Sequence, residues 1–280
     1  VLKITGKTDV YGIFGFPVEH SLSPLMQTAA FHTLGIDAVY VPFEVNPENL
    51  KDAVAGLRAM NIRGINITVP LKEKIVPLLD KVDEAAAFLG AVNTVKNENG
   101  ILSGYNTDGD GFVDSLEEEG VDISGKTVLL IGAGGSGKAV AFALLKRGAE
   151  KVVIANRTVE KAESLAGKLE SYGKVEAVSL GDVENLLEKV DLIVNTTSLG
   201  MKESDPPLFN YILIPSSVTV VDIIYKPFKT KLLLAAEENG AKIVNGLGML
   251  VHQGARAFRI WTGRKPPIDV MKRVLMEQLW

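Results

Sequence analysis

The stretch Thr127-Val128-Leu129-Leu130-Ile131-Gly132-Ala133-Gly134-Gly135-Ser136-Gly137 decides the fold. Thr127 to Ile131 reads as a buried strand, and Gly134 to Arg147 carries a helical pattern. Between them stands G-x-G-x-x-G. In that setting Gly132 allows a tight turn, Gly134 lets a pyrophosphate approach the backbone, and Gly137 permits close helix–strand packing. The helix start offers unpaired N–H groups and a positive dipole end to phosphates. A glycine sextet alone is weak evidence; the flanking strand and helix make it a dinucleotide site.

Gly132 to Lys138 also spells G-x-x-x-x-G-K, the opening of a nucleotide-triphosphate loop. Such a loop needs Ser or Thr next to hold Mg²⁺, and the next residue is Ala139. Asp222 comes closest to a metal-binding strand carboxylate but is a poor partner. The phosphotransferase reading is therefore the weaker one.

Moving outward, Lys151–Ala155, Val175–Val178, Leu192–Asn195 and Val218–Ile223 read as further strands, with Val159–Tyr172 a helix. This β-α-β order predicts a doubly wound sheet of the Rossmann type. At the end of the second strand, an NAD-specific site carries Asp or Glu. Here Asn156-Arg157-Thr158 stands instead. A guanidinium clamps a 2′-phosphate that a carboxylate would repel, so NADP(H) is expected over NAD(H). The competing reading makes Asn156 and Thr158 helix caps and Arg157 a solvated cation.

Upstream, Val10–Phe16, Val39–Val45 and Ile65–Val69 read as strands; Pro24–Leu34 and Asn49–Met60 read as helices. Their alternation predicts a mostly parallel sheet. Gly90–Lys96 and Ile101–Tyr105 flank Asn99-Gly100, a hairpin signal. A helix from Asp108 to Glu119 stops at Gly120, and two more helices, Gly248–Trp261 and Asp269–Leu279, end the chain. With 280 residues, more than one core is expected. The fold class is thus α/β in two domains: a substrate domain over 1–112, completed by the helices of 248–280, and an NADP-binding domain over 113–247.

Composition narrows the chemistry. Apolar residues make up 46 % and charged residues 23 %, an ordinary globular balance, and the net charge of −4 gives no field for nucleic acid or an anionic membrane. Cysteine is absent and only three histidines exist, so thiol nucleophiles are excluded and a metal site is not expected. Val1-Leu2-Lys3 lacks a leader pattern and no apolar run reaches membrane length, which predicts a soluble, cytoplasmic chain.

The first half carries polar residues that a bland fold does not need. Ser21 and Ser23, in His20-Ser21-Leu22-Ser23-Pro24, stand at a helix start suited to a carboxylate. Asn66 and Thr68 share one strand face by alternation. Lys72 follows that strand, Asn93 lies in the next, and Asn106-Thr107-Asp108-Gly109 follows another.

These strings resemble the shikimate dehydrogenase family along nearly the whole chain. The matching segments are His20–Pro24, Asn66–Lys72, Gly90–Thr94, Asn106–Gly109, Gly132–Gly135 and Asn156–Thr158. Asn195–Ser198, Val221–Tyr225 and Asn245–Gln253 continue the series. The resemblance implies reversible, NADPH-dependent reduction of 3-dehydroshikimate to shikimate, with a quinate/shikimate dehydrogenase or a non-catalytic sensor as alternatives. It implies a small-molecule substrate, and a monomer or homodimer.

By the same resemblance, Lys72 and Asp108 form the catalytic pair. Ser21, Ser23, Asn66, Thr68, Asn93, Tyr225 and Gln253 join them around the substrate. The glycine loop (Gly132, Ala133, Gly134, Gly135, Ser136) and the segment Asn156, Arg157, Thr158 with Lys161 hold the cofactor. Ile223 and Gly246 lie along the nicotinamide, and Glu84 matches an acidic position linked to the cofactor. Ser136-Gly137-Lys138 departs from the family's more usual Ala-x-Arg, and His252 replaces a usually apolar residue.

Overall fold

The computed structural model describes residues 4–279, and chain contacts divide it into two units, Val1–Thr107 with Val251–Trp280 and Asp108–Leu250. Val1-Leu2-Lys3, read above for a leader, lies outside the described residues.

In the first unit, the β-branched and aromatic run of β1 (Asp9–Gly15) is followed by α1 (Ser23–Thr33), β2 (Ala38–Glu44), α2 (Leu50–Ala59) and β3 (Gly64–Ile67). β1 pairs in parallel with both β2 and β3, as strand–helix–strand connections require. Then come β4 (Lys81–Val82), α3 (Glu84–Leu89), β5 (Thr94–Glu98) and β6 (Ile101–Tyr105). The sheet order is β2-β1-β3-β5-β6-β4. It is mostly parallel, as expected, with β5 alone reversed. Asn99 (φ 55°) and Gly100 (φ 88°) form a two-residue turn, which obliges β5 and β6 to run antiparallel. β5 is antiparallel to β3 as well.

The strand expected over Gly90–Lys96 starts only at Thr94, so Asn93 precedes it. Gly90 and Ala91 close α3 instead, each through an N–H donated back to that helix. Asp83 caps this helix by accepting from the Ala86 N–H, and Gly90, at φ 63°, closes it in the left-handed region. Six residues are too few to show helical periodicity, which hid α3 in the sequence.

In the second unit, α4 (Asp108–Glu118) is followed by Gly120 at φ 65°. Next come β7 (Thr127–Ile131), α5 (Gly135–Lys146), β8 (Lys151–Asn156), α6 (Val159–Leu169), β9 (Lys174–Ser179), β10 (Leu192–Asn195), β11 (Thr219–Asp222), α7 (Lys231–Glu238) and β12 (Lys242–Val244). The order β12-β11-β10-β7-β8-β9 is parallel throughout. It is the two-halved arrangement of dinucleotide-binding sheets, reversing direction between β7 and β10. Leu129, Ile131, Ile193 and Val220 fill its core. Each full burial of such a side chain contributes about 1.5–3 kcal/mol. The link from β9 to β10 is 3₁₀ structure over Leu180–Lys189.

The division between units falls inside α8 (Leu247–Thr262); α9 (Ile268–Leu279) follows and packs on α1. Within the first unit, the Trp261 indole N–H donates to the Val95 carbonyl at 2.9 Å. A Cβ on Gly64 would stand 2.4 Å from that indole nitrogen, so this strand must begin with glycine. Phe31 stacks between Tyr11 (4.8 Å) and Phe258 (5.2 Å). Among the described residues no helix is long and apolar enough to cross a membrane.

Candidate active site

Ligands of open parallel sheets sit beyond the carboxyl ends of the strands, where strand order reverses. The second unit has a cavity of about 510 Å³ there, lined by residues that follow β7, β8 and β10. Gly132 takes φ 112°, and a Cβ on Gly137 would lie 2.1 Å from the Gly132 carbonyl oxygen. Neither position accepts another residue without displacing the loop. At Gly134 and Gly135 a Cβ would meet nothing within 4 Å; there the bare backbone borders open space, as close approach by a pyrophosphate requires. Gly135 and Ser136 begin α5, so the positive end of that helix faces the same loop.

Two side chains hold this loop. The Thr196 hydroxyl donates to the Ile131 carbonyl at 2.9 Å, and the Ala133 N–H donates to Asn156 Oδ1 at 3.2 Å. Asn156 Nδ2 in turn donates to the Thr158 carbonyl at 2.8 Å. Asn156 is therefore a brace between the ends of β7 and β8. Thr158 precedes α6 without making a side-chain cap, contrary to the capping alternative. Arg157, Thr158 and Lys161 are exposed and border the cavity, and no carboxylate is among its lining residues. Glycine turn, helix start and cationic rim together fit a dinucleotide bearing an extra phosphate.

Other residues assigned to the cofactor stand elsewhere. Ile223 and Gly246 do not line this cavity but adjoin one another: a Cβ on Gly246 would fall 1.8 Å from the Ile223 carbonyl oxygen. Glu84 is the first residue of α3, in the first unit. Thr196 to Leu199, Leu180 and Leu208 line the cavity without having been assigned. For Thr196 to Ser198 a signal existed, since they directly follow a buried strand. Leu180 and Leu208 come from irregular segments with none. Asp222, weighed as a metal partner, is fully buried away from the cavity lining. No cluster of His, Cys, Asp or Glu able to hold a metal occurs among the described residues.

In the first unit, polar side chains gather around the end of β3. Ser23 opens α1, and its N–H donates to Ser21 Oγ at 3.3 Å. Thr68 lies one residue past β3 and extends its pairing through an N–H donated to the Phe14 carbonyl. Asn66 is buried with both amide hydrogens committed, to the Asn93 carbonyl and Thr94 Oγ1, each at 3.1 Å. Its oxygen accepts from the Tyr40 hydroxyl at 2.7 Å. Burial pushes the Tyr40 phenol well above its ordinary pKa.

The chain continues this network. Asn93 Oδ1 accepts from the Thr107 N–H at 2.9 Å, Asn93 Nδ2 donates to Thr107 Oγ1 at 3.0 Å, and that hydroxyl donates to the Gln253 carbonyl at 3.0 Å. Asp108 is the next residue after Thr107 and opens α4. Lys72 is half-buried; its carbonyl accepts the Val92 N–H at 2.9 Å, one residue before Asn93. Tyr225, in the second unit, is half-buried, and burial raises its pKa.

Comparison with known proteins agrees with both halves. Residues 13–95 match a family model for the shikimate dehydrogenase substrate binding domain, 115–203 one for shikimate / quinate 5-dehydrogenase, and 246–276 one for the shikimate 5′-dehydrogenase C-terminal domain. A shikimate dehydrogenase (NADP(+)) of Aquifex aeolicus is 51 % identical over 270 residues, covering 96 % of this chain and 97 % of that one. The crystal structure of shikimate dehydrogenase from the same organism superposes with a TM-score of 0.90 at 50 % identity, covering 98 % and 99 % of the two chains. A shikimate 5-dehydrogenase of Listeria monocytogenes, in complex with shikimate and NAD, gives a TM-score of 0.93 at 41 % identity over 98 % of each chain.

Proposed function

The chain belongs to the shikimate dehydrogenase family, and from that premise we propose that it reduces 3-dehydroshikimate to shikimate, reversibly, with NADPH. The observation that carries the coenzyme half is the cavity of the second unit. Its glycine turn is bare where a pyrophosphate would pass, and its rim holds Arg157, Thr158 and Lys161 with no carboxylate among the lining residues. Gly132, Ala133 and Gly134 would take the pyrophosphate with the first turn of α5. Arg157 and Lys161 would take the 2′-phosphate, with Thr158 adding a hydroxyl. Asn156 holds the loop in shape.

When bound, NADPH supplies the hydride that a ketone carbon receives. The remaining work falls to side chains. Negative charge developing on the ketone oxygen needs a cation or proton donor; Lys72, half-buried in the segment that follows β3, offers both. Asp108 orients Lys72 and accepts a hydrogen bond from a ring hydroxyl. Ser21 and Ser23 bind the substrate carboxylate at the start of α1. Asn93, Thr68, Tyr225 and Gln253 hold the ring hydroxyls and carboxylate. Asn66, with its amide hydrogens already committed, serves by holding Asn93 in place. On this reading the enzyme works in a reducing cytoplasm on a small-molecule substrate.

The test follows NADPH absorbance in the presence of 3-dehydroshikimate, then with NADH, and in the reverse direction with shikimate and quinate as alcohols. Selective turnover of the shikimate pair with NADP(H) is expected. Equal turnover of quinate would assign a broader dehydrogenase, and ligand binding without any turnover would assign a sensor.

A further inference from the structure

One fully buried titratable side chain has no part in the scheme above. Asp222 ends β11 and is wholly shielded from solvent. Its Oδ1 accepts from Asn195 Nδ2 and from the Ile224 N–H, each at 3.1 Å, and its Oδ2 accepts from the Thr230 hydroxyl at 2.7 Å. These donors are all neutral, and burial pushes the carboxyl pKa up.

The direction of every hydrogen bond in this cluster is forced. Asn195 Oδ1 accepts from the Thr197 N–H (2.9 Å) and hydroxyl (2.8 Å). Its amide nitrogen must therefore face the other way, toward Asp222 and the Leu199 carbonyl at 3.1 Å. Thr230 Oγ1 accepts from the Leu233 N–H at the start of α7, so its proton turns to Asp222. Three donors thus converge on one group that must accept at both oxygens. A carboxyl group can accept at both oxygens and an amide cannot, which explains an ionisable residue where a neutral amide would be cheaper to bury.

Asp222 thereby joins two segments. Through Asn195 it holds Thr197 and Leu199, which line the dinucleotide cavity. Through the Ile224 N–H it holds the turn that carries Ile223 and Tyr225, and the Ile224 carbonyl accepts the Gly246 N–H at 3.1 Å. We propose that Asp222, acting through Asn195 and Thr230, is a positioning residue for the dinucleotide. It fixes the cavity rim at 197–199 against the segment 223–225, and so sets how tightly NADP(H) is held. The proposal rests on the NADP(H) reading of the cavity.

Asp222→Asn keeps the shape but turns an amide N–H toward a donor, whichever way it faces. Thr230→Val keeps the shape and removes the donor to Oδ2, while Thr230→Ser retains it. Calorimetry with NADP⁺ on each folded full-length variant, and with shikimate separately, reads the effect without requiring turnover. Asp222→Asn and Thr230→Val should weaken NADP⁺ binding by about tenfold, the scale of one lost hydrogen bond to a charged group. Thr230→Ser should stay within about twofold of the unmutated chain, because its hydroxyl remains a donor. Shikimate binding should weaken less than NADP⁺ binding, because Asp222 reaches the substrate only through the turn that carries Tyr225. If Asp222→Asn does not fold, Thr230→Val against Thr230→Ser decides the matter. Unchanged NADP⁺ affinity in Thr230→Val, equal loss in Thr230→Ser, or a loss of shikimate binding as large as that of NADP⁺ would overturn the role of Asp222. Failure of the unmutated chain to bind NADP⁺ would instead sink the reading of the cavity.

Discussion

Replacing Arg157 by Ala should convert a coenzyme preference into near indifference. Arg157 stands at the end of β8 on the rim of the cavity, where its guanidinium is exposed. A shielded charge-assisted contact to phosphate is worth about tenfold to a hundredfold in affinity, and exposure to water and salt lowers that value. The lower range, about 5- to 30-fold, is therefore expected for the rise in KM of NADP⁺. NAD⁺ has no 2′-phosphate for the guanidinium to reach, so its KM should move by less than about twofold. The assay is steady-state oxidation of shikimate with each coenzyme, repeated at low and high salt. Salt should shrink the difference between unmutated and variant protein for NADP⁺ alone. Equal losses with both coenzymes would show that Arg157 supports the loop rather than a phosphate. No loss with NADP⁺ would remove the electrostatic basis of the coenzyme assignment.

Gly137→Ala places a methyl 2.1 Å from the Gly132 carbonyl oxygen; calorimetric NADP⁺ binding should be lost or reduced by about a hundredfold, while far-ultraviolet circular dichroism stays near that of the unmutated chain. Trp261→Phe removes the indole donor to the Val95 carbonyl while the pairing of that residue with β3 remains, which should cost about 0.5–1.5 kcal/mol in chemical denaturation; an unchanged midpoint would refute it. Burial raises the pKa of Tyr40, and that of Tyr11 to about 12. Unfolded tyrosines ionise near the ordinary value of about 10. The stability these phenols contribute is therefore intact below that pH and is lost as pH rises through the folded values. Tyr11→Phe should flatten this alkaline decline, measured by urea midpoints across the range.

Local signals carried much of the architecture. β7 and β10 follow the boundaries read from their apolar runs, the Asn99-Gly100 turn reverses the chain as its residue types demand, and Gly120 takes the left-handed conformation just past α4. The elements that escaped notice are those with little local signal. β4 has two residues and β12 three, and α3 is a single capped turn and a half. α7 is the exception, since Thr230 caps a run of Lys, Leu, Ala and Glu that does carry a helical signal. That the reversed strand β5 sits beside β3 depends on which strands pair, and pairing is a tertiary choice.

The glycine turn and the 156–161 segment were legible as cavity residues because each lies beside a strand end in sequence. Leu180 and Leu208 reach the same cavity only through the fold. The roles of Tyr40, Asn195 and Asp222 were hidden for the same reason. Their partners lie 26, 27 and 8 residues away at the points that matter, and no spacing rule announces a buried hydrogen-bond network.

The most direct measurement compares kcat for 3-dehydroshikimate reduction by NADPH in the unmutated chain and in Lys72→Ala, with NADP⁺ binding and melting temperature recorded on both. A positioned general acid contributes about 10²–10⁴ in rate, so the unmutated chain should turn over and the variant should lose that factor while folding and binding NADP⁺ normally. Undiminished turnover without the Lys72 amine, or no turnover by the unmutated chain, would contradict the account.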